Sequence, residues 1–393
     1  MTHKSDSDLL NQVLQLVSEN GSEALIECFR LLLNEAMRQE RSQALGAEPY
    51  ERTESRLGYS NGFKPKTLLT RMGSVDLQIP QVRGDVDFYP RSLEKGLRSE
   101  QALKLALAEM YVQGVSTRKV SAIVEELCGG SVSSTHVSEC AKMIDAQIQL
   151  WRNRPLGQVP YLVLDARYEK VRMNGQVLDC AVLIAMGIQA GGKRSILGVS
   201  AALSEAEVHW RDFLKSLQER GLHALQHIVS DDHTGLKAAR KAVFPGVAWQ
   251  RCQFHLQQNA QAYVKSLDQR KPLGCCIRNI FNCPDLHAAE RLLKSTVADY
   301  QKSNAKLAQW MEKNIPEGFT IFSLPEAHRR RMRTSNALER VNEEIRRRTR
   351  VASIFPNENS LLRLVSALLM EISEEWETGK IYLNMAIQET DSQ

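Results

Sequence analysis

The sequence predicts an α/β fold in which a mixed sheet is interrupted by an all-α insertion and preceded by helical, small β-rich and compact helical segments. Three observations carry this. Residues 161–202 hold three consecutive strand-like runs, residues 203–265 alternate helical and strand-like patterns, and some sixty residues after 265 show no strand pattern.

Taken in order, residues 1–50 contain LLNQVLQLV and EALIECFRLLLNEAMRQERSQAL, which place apolar residues at helical spacing and read as two helices suited to packing or oligomerisation. Residues 51–95 change character. Asn61-Gly62 and Met72-Gly73 mark β-rich pieces, VDLQI alternates before Pro80, and Arg56, Lys64, Lys66, Arg71 and Arg83 make a strip of charge suited to DNA. Residues 96–152 return to helical periodicity. One helix ends at Gly114, a second begins after Ser116 and is broken by Gly129-Gly130, and a third starts in SVSSTHVSECAKMI. This is the rhythm of a helix-turn-helix, whose last helix can enter a major groove; any compact three-helix unit has similar spacing. Arg118, Lys119 and His136 are its candidate DNA contacts.

Pro155 and Pro160 mark the next boundary. YLVLDARYEKVRM and QVLDCAVLIAMGI flank Asn174-Gly175, a strong hairpin signal, and RSILGVSAAL follows as a third strand. SEAEVHWRDFLKSLQERG reads as a helix, ALQHIVSD as a strand, TGLKAARKAVF as a helix, VAWQRCQF as a strand and HLQQNAQAYVKSL as a helix. An antiparallel meander passing into alternating helix and strand is the order of a ribonuclease H-like domain, expected over 156–265 and 331–393, with the helical insertion over 266–330.

Composition bounds the function. The 393 residues are 43% apolar, enough for a sizeable core, and no apolar run reaches the roughly 18 residues of a membrane span. The eight cysteines form no CxxC pair and no leader precedes them, which points to reduced thiols in the cytoplasm. The net charge is only +5, yet residues 329–350 crowd nine arginines against three glutamates. Such a field suits a polyanion, nucleic acid first, and is also what a solvated helix face looks like.

Three carboxylates fall where this architecture brings elements together. Asp165 ends YLVLD on the first strand, Asp231 ends IVSD on the fourth, and those strands are neighbours in a ribonuclease H-like sheet; Glu339, after the insertion, supplies a third. Oxygen ligands of this kind suit Mg²⁺ or Mn²⁺, and a pair of such ions serves phosphodiester chemistry. Structural readings stand beside these. Asp165 is also readable as a solvent-facing strand end, and Asp231 competes with Asp232 as ligand or helix cap. Glu339 stands three residues after Asn336, the spacing of a capping box. Cys252 and His255 form a CxxH pair, Cys283 and His287 a second pair; together they could hold structural zinc, or the first pair could support the catalytic strands.

HIVSDDHTGLKAARKAVFPGVAWQRCQFHLQQNA and RTSNALERVNEEIRRRTRVASIFPNENSLLRLVSALLMEISEEW closely resemble the Mutator-type transposases of bacterial insertion sequences, and RLGYSNGFKPKTLLTRMGSVDLQIPQVRG and LVLDARYEKVR match the same family. The resemblance spans nearly the whole chain. It implies a DDE transposase that binds terminal inverted repeats, cleaves a strand and joins it to DNA. Asp165, Asp231 and Glu339 are then the catalytic and metal-binding acids, with Mg²⁺ or Mn²⁺, two ions to a site, and at least a dimer on double-stranded DNA. Cys252 and His255 match the family's CxxH feature, and Arg340, Arg346, Arg347 and Arg350 are candidate phosphate contacts. Two positions depart from the pattern: Asp232 replaces a small residue, and LQQNA lacks a basic residue before Asn259. A nuclease that never joins strands and a non-catalytic DNA-binding regulator are the competing expectations.

Overall fold

The computed structural model describes residues 3–51, 53, 56–70, 72–84, 86–93, 101–113, 115, 117–128, 132–350 and 353–386. The chain divides into two compact units, Met1–Met143 and Ile144–Gln393.

The first unit opens with helices α1 (His3–Asn20) and α2 (Leu25–Leu45), followed by the antiparallel hairpin β1 (Tyr59–Thr70) and β2 (Gly73–Arg83). The alternation in VDLQI survives: Val75, Leu77 and Ile79 are buried against Met37 of α2, while Asp76 and Gln78 face outward. The side-chain oxygen of Asn34 on α2 accepts from the Gln78 amide at 2.9 Å, which joins helix to hairpin. Asn61-Gly62 makes no turn. It sits in the register shift between Ser60 and Phe63, with Gly62 at φ +71° supplying the positive φ that a bulge favours. Of the basic strip, Arg56 and Arg83 flank the Tyr59 ring at 5.6 and 5.7 Å, and Arg71 lies outside the described residues.

Helices α3 (Gln101–Val112), α4 (Thr117–Cys128) and α5 (Ser134–Cys140) close around Leu107, Val120, Val124 and Val137. The breaker residues Gly114, Ser116, Gly129 and Gly130 lie outside the described residues. Ser133 caps α5, its hydroxyl accepting from the His136 amide at 3.1 Å.

The second unit begins with α6 (Asp145–Arg152), earlier than the Pro155 boundary. The reason is packing: Asp145 accepts two bonds from Arg363 at 2.5 and 2.9 Å, so the helix belongs to this unit's core. The meander follows as β3 (Tyr161–Met173), β4 (Gln176–Ile188) and β5 (Arg194–Ala202), with Asn174 and Gly175 both at positive φ in the hairpin turn. Then come α7 (Glu207–Glu219), β6 (His227–Ser230), α8 (Thr234–Val243) and β7 (Ala248–Arg251). The five strands order as β5-β4-β3-β6-β7, with β3 antiparallel to β4 and parallel to β6. This mixed sheet is compatible with a ribonuclease H-like domain.

Alternation along β3 sorts its side chains between two faces. Leu162 and Leu164 enter a core with Trp210 and Leu214 of α7 and Leu236 of α8. Tyr161, Asp165 and Glu169 point the other way.

Helix α9 (Gln253–Gln261) starts where VAWQRCQF had suggested more strand, because β7 stops at Arg251. Its Leu256 and Ala260 share a core with α10 (Leu267–Phe281), α11 (Leu286–Ser303) and α12 (Ala305–Asn314), so the helical body starts at α9. The chain returns through α13 (Glu326–Met332) to α14 (Asn336–Thr349) and α15 (Glu358–Thr378). On the second sheet face Tyr161 meets His328 of α13 at 2.9 Å, Asp165 meets Asn342 and Glu169 meets Thr349 of α14. Among the described residues no helix is long and apolar enough to cross a membrane.

His227 is fully buried at the start of β6, edge-on to Tyr161, and burial drives its pKa down to about 4 against the pull of the Met332 backbone. The unfolded chain therefore binds the extra proton, and stability present above pH 6.5 drains as pH falls toward 4, by at most about 3 kcal/mol. Urea unfolding at pH 7 and pH 4.5 should show this loss, and His227→Gln should flatten the difference. A difference unchanged by the substitution refutes the assignment.

Candidate active site

Asp165 owes its place to strand register. Val163 of β3 pairs with Val229 of β6, and two residues further along each chain stand Asp165 and Asp231. One Asp165 oxygen accepts from the Ala166 amide at 3.0 Å and the other from the Asn342 side-chain amide at 2.8 Å. Asn342 lies three residues after Glu339, so both project from one face of α14 toward β3.

Asp231 and Asp232 have different neighbours. Asp232 is held by Lys237 at 2.5 Å and by the buried guanidinium of Arg251 at 2.8 Å. Arg251 also binds Glu317 at 2.8 Å and Asn314 at 3.0 Å in the helical body. Asp231 turns the other way, with one oxygen 3.9 Å from His255 Nδ1. Neither aspartate caps α8, where His233 is the flanking residue.

The capping-box reading of Glu339 does not hold. Ser335, not Asn336, flanks α14, and its side chain caps nothing. Instead the Ser335 amide and hydroxyl both donate to Cys252 Sγ at 3.4 Å. Glu339 Oε1 is buried without a hydrogen-bond partner and lies 4.0 Å from His255 Nε2. Its carboxylate is not spent on the helix end.

Cys252 and His255 thus stand in the middle of the cluster. The Cys252 amide donates to the Ser230 carbonyl at 2.8 Å, so this one residue touches both the strand leading to Asp231 and Ser335 at the start of the helix carrying Glu339. The four-ligand zinc reading fails: among the described residues Cys252 and His255 gather with Glu339 and not with Cys283 and His287, whose side chains meet the Asn279 carbonyl at 3.5 Å and Glu290 at 3.9 Å.

Burial and the charge on His255 oppose each other at the acids of the site. Burial pushes Asp165 up to about 7; His255 opposes this, while Asp231 and Glu339 add to it. Burial also raises Glu339, against His255 and with Glu343. His255 is pushed up to about 9, first by Cys252, then, against the cost of burial, by Asp231 and Asp165. Burial alone would raise the Cys252 thiol, but His255 and Ser335 outweigh it and the thiol is lowered. Partly buried acids around one imidazole, with an orphaned oxygen on Glu339, are what a divalent cation would satisfy.

The arginine run divides. Arg340, Arg346, Arg347 and Arg350 are exposed, while Arg348 is buried and binds Glu344 at 2.9 Å. Arg347 shares that carboxylate, and the two arginines push Glu344 down to about 2. In the first unit Lys119 is exposed on α4, His136 lies 3.9 Å from Glu139 and 3.7 Å from Cys140, and the Arg118 side chain falls outside the described residues. Asn342, Ser335 and Arg251 escaped the sequence reading. Only Asn342 left a signal, its i+3 spacing from Glu339.

The second unit thus sets Asp165 and Asp231, beyond two parallel strands, beside a returning helix that carries Glu339. The family model described as "Transposase, Mutator family" matches residues 1–379. The chain belongs to this family. It is 57% identical to the transposase for insertion sequence element IS406 of Burkholderia multivorans, over 98% of this chain and 99% of that one. It is 42% identical to the transposase for ISRM5 of Rhizobium meliloti, covering 97% and 96%. With the transposase for IS256 in transposon Tn4001 of Staphylococcus aureus the identity is 36%, covering 90% and 91%. Family membership makes this a transposase, a protein of mobile elements that works on DNA.

Proposed function

We propose that this transposase is a DDE enzyme that binds the terminal inverted repeats of an insertion sequence, cleaves a strand to expose a 3′-hydroxyl and joins it to DNA by in-line transesterification. The observation that carries the reading is the convergence of Asp165, Asp231 and Glu339 around His255, with Glu339 Oε1 buried and unpartnered. These three acids would hold Mg²⁺ or Mn²⁺, hard cations that take oxygen ligands. Bound there, a pair of such ions supplies an activated oxygen nucleophile and neutralises charge on the leaving oxygen.

The chain's own residues do the positioning. Asn342 orients Asp165 through its amide, Cys252 ties the Asp231 strand to the start of α14, and Arg251 anchors the Asp232 side of the strand to the helical body. The exposed Arg340, Arg346, Arg347 and Arg350 receive phosphates close to the acids. The helix-turn-helix of α3–α5 reads the repeat ends, the insertion interrupts the ribonuclease H-like domain, and two ends are synapsed by at least a dimer in the cytoplasm, on the nucleoid.

The test is an end-containing duplex incubated with the protein and Mg²⁺. Joined product supports the transposase chemistry; hydrolysis without joining indicates a nuclease, and binding without either a regulator. Neutralising Arg340, Arg346, Arg347 and Arg350 together is expected to weaken binding across sequences and to make the slope of log affinity against log salt shallower by about 0.9 per lost contact. Filter binding across a salt series measures it, and an unaltered slope removes these residues from the interface.

A further inference from the structure

The cluster contains two donor sets. Asp165, Asp231 and Glu339 offer oxygen alone, whereas Cys252, His255 and Glu339 offer sulfur, nitrogen and oxygen. Ligand atoms of the latter three lie within 4.8 Å of one another. We propose that Cys252, His255 and Glu339 form a site for a thiophilic divalent metal, Zn²⁺ by its chemistry, that overlaps the oxygen site and withdraws Glu339 from it.

The chemistry and the geometry of the site support this. Zinc accepts thiolate, imidazole and carboxylate together, and a site with three protein ligands keeps a fourth position open. Cys252 Sγ already receives two hydrogen bonds, from the Ser335 amide and hydroxyl at 3.4 Å, the kind of outer contact that orients a metal-binding sulfur. His255 Nδ1 and Glu339 Oε1 are buried without a hydrogen bond, with Asp231 3.9 Å from the one and His255 Nε2 4.0 Å from the other, so a metal would give both a close partner. Tetrahedral ligand atoms sit about 3.5 Å apart at zinc bond lengths, so binding would draw the three donors in from the 4.8 Å within which they lie. Cys252 is buried while His255 and Glu339 are partly exposed, which leaves a route of entry from the substrate side.

Binding and inhibition are separable. Binding concerns the three ligands only; inhibition rests on Glu339 belonging to the catalytic acids. The full chain, stripped of metal and kept in excess Mg²⁺, is titrated with Co²⁺ as a coloured substitute for Zn²⁺. A thiolate-to-cobalt charge-transfer band should saturate at one ion per chain and disappear on adding Zn²⁺. Cys252→Ser should abolish the band, and the combined Cys275→Ser, Cys276→Ser and Cys283→Ser variant should keep it. His255→Asn should raise the half-saturating Co²⁺ by at least about tenfold.

No band, a band that survives Cys252→Ser, or one lost in the triple variant overturns the site. Should Cys252→Ser alter the near-ultraviolet circular dichroism, the His255→Asn arm decides, and an unchanged half-saturation overturns it. Zn²⁺ should stop Mg²⁺-driven cleavage over the same concentrations at which it displaces Co²⁺; inhibition at unrelated concentrations overturns the overlap. Failure of the catalytic reading shows elsewhere, as cleavage that survives Glu339→Gln.

Discussion

Asp165→Ala should lower Mg²⁺-dependent strand cleavage on the order of a thousandfold, and Asp231→Ala and Glu339→Gln should do the same, because each loss removes several kcal/mol of charge stabilisation at 1.36 kcal/mol per tenfold. The three are not expected to add, since residues acting as one unit lose most of their effect at the first substitution. Asp232→Asn is the internal control. Its partners are Lys237 and Arg251 rather than His255, so cleavage by the folded protein should stay within roughly tenfold of the parent. Single-turnover cleavage of an end-containing duplex, with folding checked by circular dichroism, measures all four. Unchanged cleavage in any of the first three, or a collapse in Asp232→Asn equal to that of Asp231→Ala, defeats the assignment.

Arg251→Met is expected to cost about 3–5 kcal/mol of stability, the range for removing one partner from a buried ion pair. The Arg251 side chain is only 3% exposed and answers two carboxylates, Asp232 and Glu317, each at 2.8 Å. Its removal leaves both with less compensation, although Lys237 remains on each at 2.5 and 2.9 Å. Glu317→Gln should cost less, because Arg251 then keeps Asp232 and Asn314. Urea midpoints for the two single variants and their combination give the coupling. Equal midpoints for Arg251→Met and the parent would show that the network contributes specificity without stability. The same network links β7 to the helical body beside Asp231, so a loss of cleavage in folded Glu317→Gln would point to a positioning effect.

Much of the second unit was legible because its patterns are local. The Asn174-Gly175 turn, the apolar runs of β3 to β5 and the period of α7 each declare themselves within a few residues. The end of β7 was misplaced because VAWQRCQF carries β-favouring residues past Arg251, while burial of Leu256 in the helical core starts α9 two residues later. Asn61-Gly62 marked a β-rich piece correctly, and the structure adds that the pair sits at a bulge within β1.

Asp165 and Asp231 could be picked out from the sequence, since each follows an apolar run that marks a buried strand, and the family resemblance supplied Glu339 and the grouping of the three. Their partners could not. Asp165 and Asn342 are 177 residues apart, and Cys252 and Ser335 are 83 apart. Strand and helix periodicity determine which face a side chain takes, so the sequence by itself determined the elements, their order and the three candidate acids. Which aspartate faces His255, whether Glu339 is free of its helix end, and where the CxxH pair lies depend on contacts between distant segments. Only the packed structure decided those, because burial and hydrogen-bond geometry exist only once the segments have met.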